Sequence, residues 1–452
     1  MRKSSPKRSR LAALERSPRG RAVRRLDRIE VGGAFTALLA DEAVDPRADR
    51  QVTEYVAGVT RWRRWLDFLL AHHYRGPYQK MEPTLRQILR VALYDLLFLD
   101  TPPHAAVHEA VELAKAFVRP GAGGLVNGLL RAVLRRRDRL PQPATGDEAE
   151  DLAIRWSHPT WMVRRWLARY GTEGTQALLV WNNTRPTFGV RLTDRIAREE
   201  VIARLEAEGV AWEASPYLED FLRVARLQPV LAAGWLAEGR CVVQDESTGL
   251  VVRLLDPRPG ETVLDVCAAP GGKARYAAER MQGTGRLLAF DVNAARLRLL
   301  AGAADREGRS IIQTEAVDLR ELAGRAEAPR GDRVLLDAPC SGLGVLARRA
   351  DLRWRRTPEE IDELTRLQDE LLDAAARLVR PGGLLVYATC TLEPEENEGR
   401  VTAFLQRHPD FSLEPAHPFV PETLVTPEGY FASWPPRDRI DGAFGARLRR
   451  RA

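Results

Sequence analysis

The chain has 452 residues, 44% of them apolar, and a formal charge of +7 carried mostly by arginine. At roughly 150 residues per domain this length suggests about three domains, and the basic excess favours an anionic partner such as nucleic acid. No run of about 18 apolar residues offers a membrane span, and the basic start lacks the apolar segment of a signal peptide, so a cytoplasmic protein with no membrane association is expected.

Residues 1–24 hold one acid, Glu15, among many Arg and Lys, which predicts a flexible basic arm able to touch phosphates. Residues 25–140 then read as an all-helical domain: in "PTLRQILRVALYDLLFLD", Leu85, Ile88, Leu89, Ala92, Leu93 and Leu96 recur on one face. Within it "RWRRWLDFLLAHHYRG" interleaves Arg61, Arg63 and Arg64 with Trp62, Trp65 and Tyr74. That pattern can grip RNA by charge and stacking, or equally place both tryptophans in the core and the arginines in solvent. His72, His73, His104 and His108 have no acid or cysteine partner at ligand spacing, so they read as packing or capping residues and no metal site is expected.

A polar, Pro-containing linker, "RLPQPATGDEAED", precedes a second, smaller unit over residues 151–238. Its mixture of helical and extended stretches suggests a small α+β fold. Over residues 239–452 the pattern becomes strand, glycine turn, helix, repeated, which indicates a doubly wound parallel sheet. Ligands in such sheets gather outside the carboxyl ends of the strands, and Cys267, Cys340 and Cys390 fall at those ends.

The turn "DVCAAPGGKA" is neither a Walker loop, since Ala274 stands where Ser or Thr would hold magnesium, nor a dinucleotide G-x-G-x-x-G. It is a tight glycine turn opening a helix, whose free N–H groups can meet a carboxylate or other polar atoms. The next strand ends in Asp291, suited to accept hydrogen bonds from ribose hydroxyls. These features imply a nucleoside-bearing cofactor. Lys273 is the only lysine after Lys115 in an arginine-rich chain, which suggests a need for a compact ammonium at that point. The four cysteines, Cys241, Cys267, Cys340 and Cys390, form no C-x-x-C pair, so neither a zinc knuckle nor a disulfide framework is indicated.

The stretches "DVCAAPGGK", "DAPCSGLG", "YATCTLEPEENE" and "DGAFGARL" resemble those of the S-adenosylmethionine-dependent RNA cytosine-5 methyltransferases. The helical region, with "HAAVHEAVELAK" and "GLVNGLLRAVLRR", resembles the NusB-like RNA-binding domain joined to such a methyltransferase in the bacterial 16S ribosomal RNA enzymes of the Sun, Fmu or RsmB type. The resemblance runs from residue 25 to residue 449. It implies an all-α NusB-like domain, a small α+β domain and an α/β Rossmann-like methyltransferase domain, with S-adenosyl-L-methionine as cofactor and 16S ribosomal RNA as partner.

Carried over by residue, the resemblance makes Cys267, Ala268, Ala269, Pro270, Gly271, Gly272 and Lys273 the turn at the methionine end of the cofactor. Asp291 would hold the ribose, Asp318 would approach the adenine amino group, and Arg296 would sit at the rim. Asp337 would lie near the transferred methyl and the target base. Cys390 would be the nucleophile that attacks C6 of cytosine, and Cys340 would assist breakdown of the adduct, with Lys273 a source of positive potential for the thiolate. A monomer is expected.

The chain departs from the family pattern at Ala274, where threonine is usual, at Ala350, where proline is common, and at Gly445, which replaces a larger apolar residue. The stretch "RRADLRWRR" offers Arg348, Arg349, Arg353, Arg355, Arg356 and Trp354 for contacts with RNA. Other readings stay open: methylation of a different RNA, a DNA cytosine methyltransferase with Cys340 as nucleophile, or an RNA-binding ribosome-assembly factor without chemistry.

Overall fold

The computed structural model describes residues 6–32, 45–185 and 187–452. Two compact units emerge, one of residues 1–183 together with 349–355 and one of residues 184–348 with 356–452.

The first unit is built from helices whose starts are written locally. Asp45 accepts a hydrogen bond from the Arg47 N–H and Pro46 opens the helix Pro46–His73; proline likewise opens Pro83–Phe98 and Pro103–Phe117. The periodic residues Leu85, Ile88, Leu89, Ala92, Leu93 and Leu96 are all buried in its core. The basic arm expected over residues 1–24 is helical from Pro6 onward, in helices Pro6–Arg16 and Pro18–Gly32; the first five residues lie outside the described ones. Ala22 and Val23 are buried, and Arg19 ion-pairs with Asp95 and Glu109. Internal carboxylates take up this basic side chain, which charge counting along the sequence cannot foresee.

Residues 151–183, placed by the sequence in the small middle unit, lie in the helices Glu148–Arg155 and Thr160–Asn183, which group with the first unit. Arg64 ties them down through Glu150, the His158 carbonyl at 2.7 Å and Thr160 at 2.9 Å. The arginine–tryptophan stretch is therefore mostly interior: Trp65 is buried, Trp62 stacks on Phe98 at 4.9 Å, and Arg61 is buried. The same holds for Arg353 and Trp354 of the segment 349–355. Arg353 is fully buried and donates to the carbonyls of Ser157 and Asn182 and to Asn183 Oδ1, while the Trp354 indole donates to the Thr60 carbonyl and lies under Arg63. Buried backbone carbonyls need donors, and these two side chains supply them, so the readiness for RNA expected of them is not met.

The second unit carries two sheets. Strands β1 (Phe188–Leu192), β2 (Trp212–Ala214), β3 (Phe221–Val224) and β4 (Cys241–Val243) form an antiparallel sheet in the order β2-β3-β1-β4. The larger sheet uses β5 (Thr262–Asp265), β6 (Arg286–Asp291), β7 (Ile312–Ala316), β8 (Gly331–Asp337), β9 (Val379–Thr389), β10 (Phe411–Glu414) and β12 (Phe444–Arg450), in the order β10-β12-β9-β8-β5-β6-β7, with β11 (Phe431–Ala432) on β12. Strands β5 to β9 pair in parallel and β12 is antiparallel to β9. From β5 the chain winds outward to β6 and β7, then returns to β8 and β9 on the other side. The order reverses at β5, so a crevice opens beyond the ends of β5 and β8. At Gly445 an added Cβ would lie 2.6 Å from Leu254 and 3.2 Å from Phe431, so packing alone explains the departure there. No described helix is long and apolar enough to cross a membrane, and among the described residues no cluster of His, Cys, Asp or Glu could hold a metal ion.

Candidate active site

The glycine turn leaves β5 at Asp265 and enters the helix Gly272–Arg280. Gly271 has φ +99°, and a Cβ there would lie 2.2 Å from Leu300, so both backbone and space demand glycine. The helix has no side-chain cap, leaving its first N–H groups unpaired within the helix. A cleft of about 330 Å³ opens in front of this turn, lined by Gln244, Asp245, Asp265, residues 267–273, Asp337, Arg348 and Asp441 among others. Asp291 and Arg296 fix the shape of the turn: Asp291 accepts from the Ala269 N–H at 3.0 Å, and Arg296 donates to the Ala269 carbonyl at 2.6 Å. Asp318 caps the helix Leu319–Gly324 and pairs with Arg320, whose hydrogen bond holds its carboxyl below the usual range.

Lys273 is half-buried and bonded to Asp337, Nζ to Oδ2, at 2.6 Å. Burial alone would depress the ammonium, but the charge and hydrogen bond of Asp337 outweigh it and hold Lys273 above its ordinary value; the Cys390 sulfur adds to the same effect. Asp265 is pushed up to about 7 by burial, with Asp337 adding to the rise. Asp441 is pushed up to about 8 by burial and by Asp245, against the opposing pull of Arg348, which ion-pairs with both acids. Burial also raises the Cys267 thiol, with Asp265 next in effect.

Cys340 and Cys390 come together because β8 and β9 are parallel neighbours in register, Asp337 opposite Ala388, and each chain runs on two or three residues before its cysteine. Their sulfurs lie 3.3 Å apart, and the Cys390 N–H also donates to Cys340 Sγ. The hydrogen bond with Cys390, then burial, raise the Cys340 thiol well above its ordinary range. A buried carboxylate locks the two loops: Glu396 accepts from the Ser341 N–H at 2.8 Å, from the Ser341 hydroxyl and from Gln368, while the Ser341 and Thr391 hydroxyls meet at 2.8 Å. Gly344 and Gly442 complete the lock, since a Cβ on Gly344 would lie 2.3 Å from the Gly442 carbonyl oxygen.

A family model described as 16S rRNA methyltransferase RsmB/F matches residues 252–449, with the NusB family matching residues 16–135 and an RsmF/B-like ferredoxin-like domain matching residues 158–231. The probable ribosomal RNA small subunit methyltransferase B of Bacillus subtilis (strain 168) is 36% identical over 403 residues, covering 87% of this chain and 89% of that protein. This chain belongs to the RsmB/F family of 16S rRNA methyltransferases. Its counterpart in Synechocystis, also named a probable ribosomal RNA small subunit methyltransferase B, is 37% identical over 422 residues, 92% of this chain and 94% of that one. The crystal structure of PH0851 is 30% identical and superposes with a TM-score of 0.78 over 95% of this chain and 98% of its own. The expected NusB-like and methyltransferase domains are thus both present, and the expected small α+β domain corresponds to the ferredoxin-like match.

In this RsmB/F chain the residues expected from sequence form two clusters. Residues 267–273 and Asp337 line the cleft, and Cys340 with Cys390 makes the thiol pair. Asp291, Arg296 and Asp318 are not in the cleft lining. Sequence reading missed Asp265, Gln244, Asp245 and Asp441, and gave Arg348 to RNA contact rather than to the cleft. Asp265 was within reach, since it ends a strand two residues before Cys267, and Asp441 belongs to the quoted "DGAFGARL". Glu396, also unassigned, sits in "EENE" and shows its role only when two loops fifty residues apart are seen together.

Proposed function

We propose that the protein methylates C5 of a cytosine in 16S ribosomal RNA, using S-adenosylmethionine and a covalent adduct between Cys390 and C6 of the base. The observation that carries this reading is the thiol pair, 3.3 Å between sulfurs, at the ends of neighbouring strands beside a lysine–aspartate ion pair. The cleft suits the cofactor: an uncapped helix start and glycine turn offer backbone donors, and no side-chain donor among the described residues pairs with the buried Asp265 carboxylate. Residues 267–273 would hold the methionine end, and Asp291, Asp318 and Arg296 the nucleoside side. When bound, S-adenosylmethionine supplies an electrophilic methyl group.

Cytosine C5 is a poor nucleophile, and the chain's own residues correct this. The Cys390 thiolate bonds to C6, and the ring electrons shift toward C5. Lys273, held as a cation by Asp337, supplies positive potential beside the thiolate. Asp337 has a second carboxylate oxygen to accept a hydrogen bond from the cytosine amino group. Once C5 carries the methyl, its proton leaves to a base, the C6–S bond breaks and the C5–C6 double bond returns. Cys340, its thiol raised by the contact with Cys390 and by burial, donates toward the departing sulfur in this reading. A base in a duplex must be exposed first, so the substrate is unpaired RNA or a flipped nucleotide. The protein acts as a monomer in the cytoplasm in this reading.

Labelled S-adenosylmethionine incubated with the protein and protein-free 16S RNA, followed by digestion to nucleosides, tests it. The expected product is 5-methylcytidine, absent with Cys390→Ala; a different methylated nucleoside overturns the reading.

A further inference from the structure

Gln244 follows β4 at the edge of the cleft and is 7% exposed. Its backbone is pinned, since the Gln244 N–H donates to the Gly189 carbonyl at 3.0 Å. Its side-chain oxygen accepts from Arg191 Nε at 3.0 Å. An arginine only donates, so the amide has one possible orientation and Nε2 must point the other way. Arg191 is itself fully buried, ion-paired with Glu279 and lying over the Tyr276 ring at 4.7 Å, so the clamp is rigid.

The amide nitrogen it leaves free is buried and has no hydrogen-bond partner. A buried donor without an acceptor costs folding free energy and is rare in native proteins unless a ligand or water satisfies it. It faces the start of the helix Gly272–Arg280: a Cβ built on Gly272 would lie 3.8 Å from Gln244 Nε2. A Cβ there would make only ordinary van der Waals contact with the amide, so Gln244 Nε2 and the helix start lie side by side. Two independent sets of donors converge there, the uncapped N–H groups of a nine-residue helix and one immobilised side-chain amide. Several neutral donors at the positive end of a helix suit a carboxylate, while Asp245, Asp265, Asp337 and Asp441 of the same cleft suit the ammonium that an amino-acid end also carries.

We infer that Gln244 binds the carboxylate at the amino-acid end of the cofactor, an assignment that rests on the S-adenosylmethionine reading above. Arg191 acts only through Gln244, as a positioning residue. The amide thereby selects cofactors and products that carry an amino-acid tail over adenosine thioethers that lack one.

The test compares two ligands by isothermal titration with the full chain: S-adenosylhomocysteine, which carries the tail, and 5′-methylthioadenosine, which does not. For Gln244→Leu, S-adenosylhomocysteine affinity is expected to fall roughly 10- to 100-fold, the range of a hydrogen bond to a charged group, with methylthioadenosine affinity unchanged. Gln244→Glu keeps the acceptor for Arg191 while replacing the donor by a like charge, so it guards against misfolding and is expected to lose at least as much. Equal loss for both ligands, or no loss for either, overturns the inference while leaving the cofactor reading intact. A wild-type protein that binds neither ligand overturns the cofactor reading and the inference with it.

Discussion

The sulfurs of Cys340 and Cys390 stand 3.3 Å apart, each carried just past the end of one of two adjacent parallel strands. That contact and burial raise the Cys340 thiol, and the proposed mechanism gives Cys390 the attack on C6 and Cys340 the release step. Cys390→Ala is expected to abolish both product and covalent complex. Cys340→Ala should still form the bond to C6 but release it slowly, so a complex of protein and RNA stable to denaturing gel electrophoresis should accumulate. If instead Cys340→Ala abolishes the complex, the nucleophile has been assigned to the wrong cysteine.

Lys273 is bound to Asp337 and its folded value lies above the ordinary one. A group raised in this way contributes stability below its unfolded value and loses it only as pH climbs through the folded value, so Lys273 remains a cation throughout the neutral range. The rate near neutral pH should therefore not follow lysine titration. Lys273→Met should lower the methylation rate by roughly 10²–10³, as loss of a charge-stabilising donor does. In a Cys340→Ser background it should also slow alkylation of Cys390 by iodoacetamide at neutral pH; an unchanged alkylation rate would show that Lys273 does not act on the thiol.

Asp265 gives a pH signature of the opposite kind. With a folded value of about 7 against 3.8 for the free side chain, the native state keeps a proton that the unfolded chain releases. Stability should then fall as pH rises from about 4 to about 7, at up to about 1.4 kcal/mol per pH unit from this group. Asp265→Asn removes that dependence. Its melting temperature should exceed wild type more at pH 8 than at pH 5, while affinity for S-adenosylhomocysteine drops; a variant with the same pH slope as wild type refutes the assignment.

Much of this architecture is local in the sequence, and what escapes it is long-range. Leu85 to Leu96 lie on one helical face and are buried as periodicity requires, and Gly271 occupies the left-handed turn that opens the helix at the cleft. The strand ends bearing Cys340 and Cys390 are equally readable, because alternating strands and helices imply parallel neighbours. What the sequence hides are partners far apart in the chain. Arg19 reads as part of a solvated arm until Asp95 and Glu109 are beside it, and Arg353 reads as an RNA contact until acceptors from Arg61, Ser157, Asn182 and Asn183 close around it. Gln244 is one polar residue among many until its free amide is seen against Gly272.

Arg353 supplies the clearest separation of structure from recognition. Its guanidinium is fully buried and donates to Ser157, Asn182 and Asn183, and burial, followed by the nearby Arg61, holds it well below its ordinary value. Removing it leaves two buried carbonyls and one amide oxygen short of a donor, each costing about 1–3 kcal/mol. Arg353→Ala should therefore destabilise the helical unit by about 3 kcal/mol or more, measured by urea denaturation of the full chain. RNA affinity, measured by filter binding on the fraction that remains folded at low temperature, should stay within about twofold of wild type, since a buried group makes no phosphate contact. A large loss of affinity with unchanged stability would return Arg353 to the RNA-binding surface.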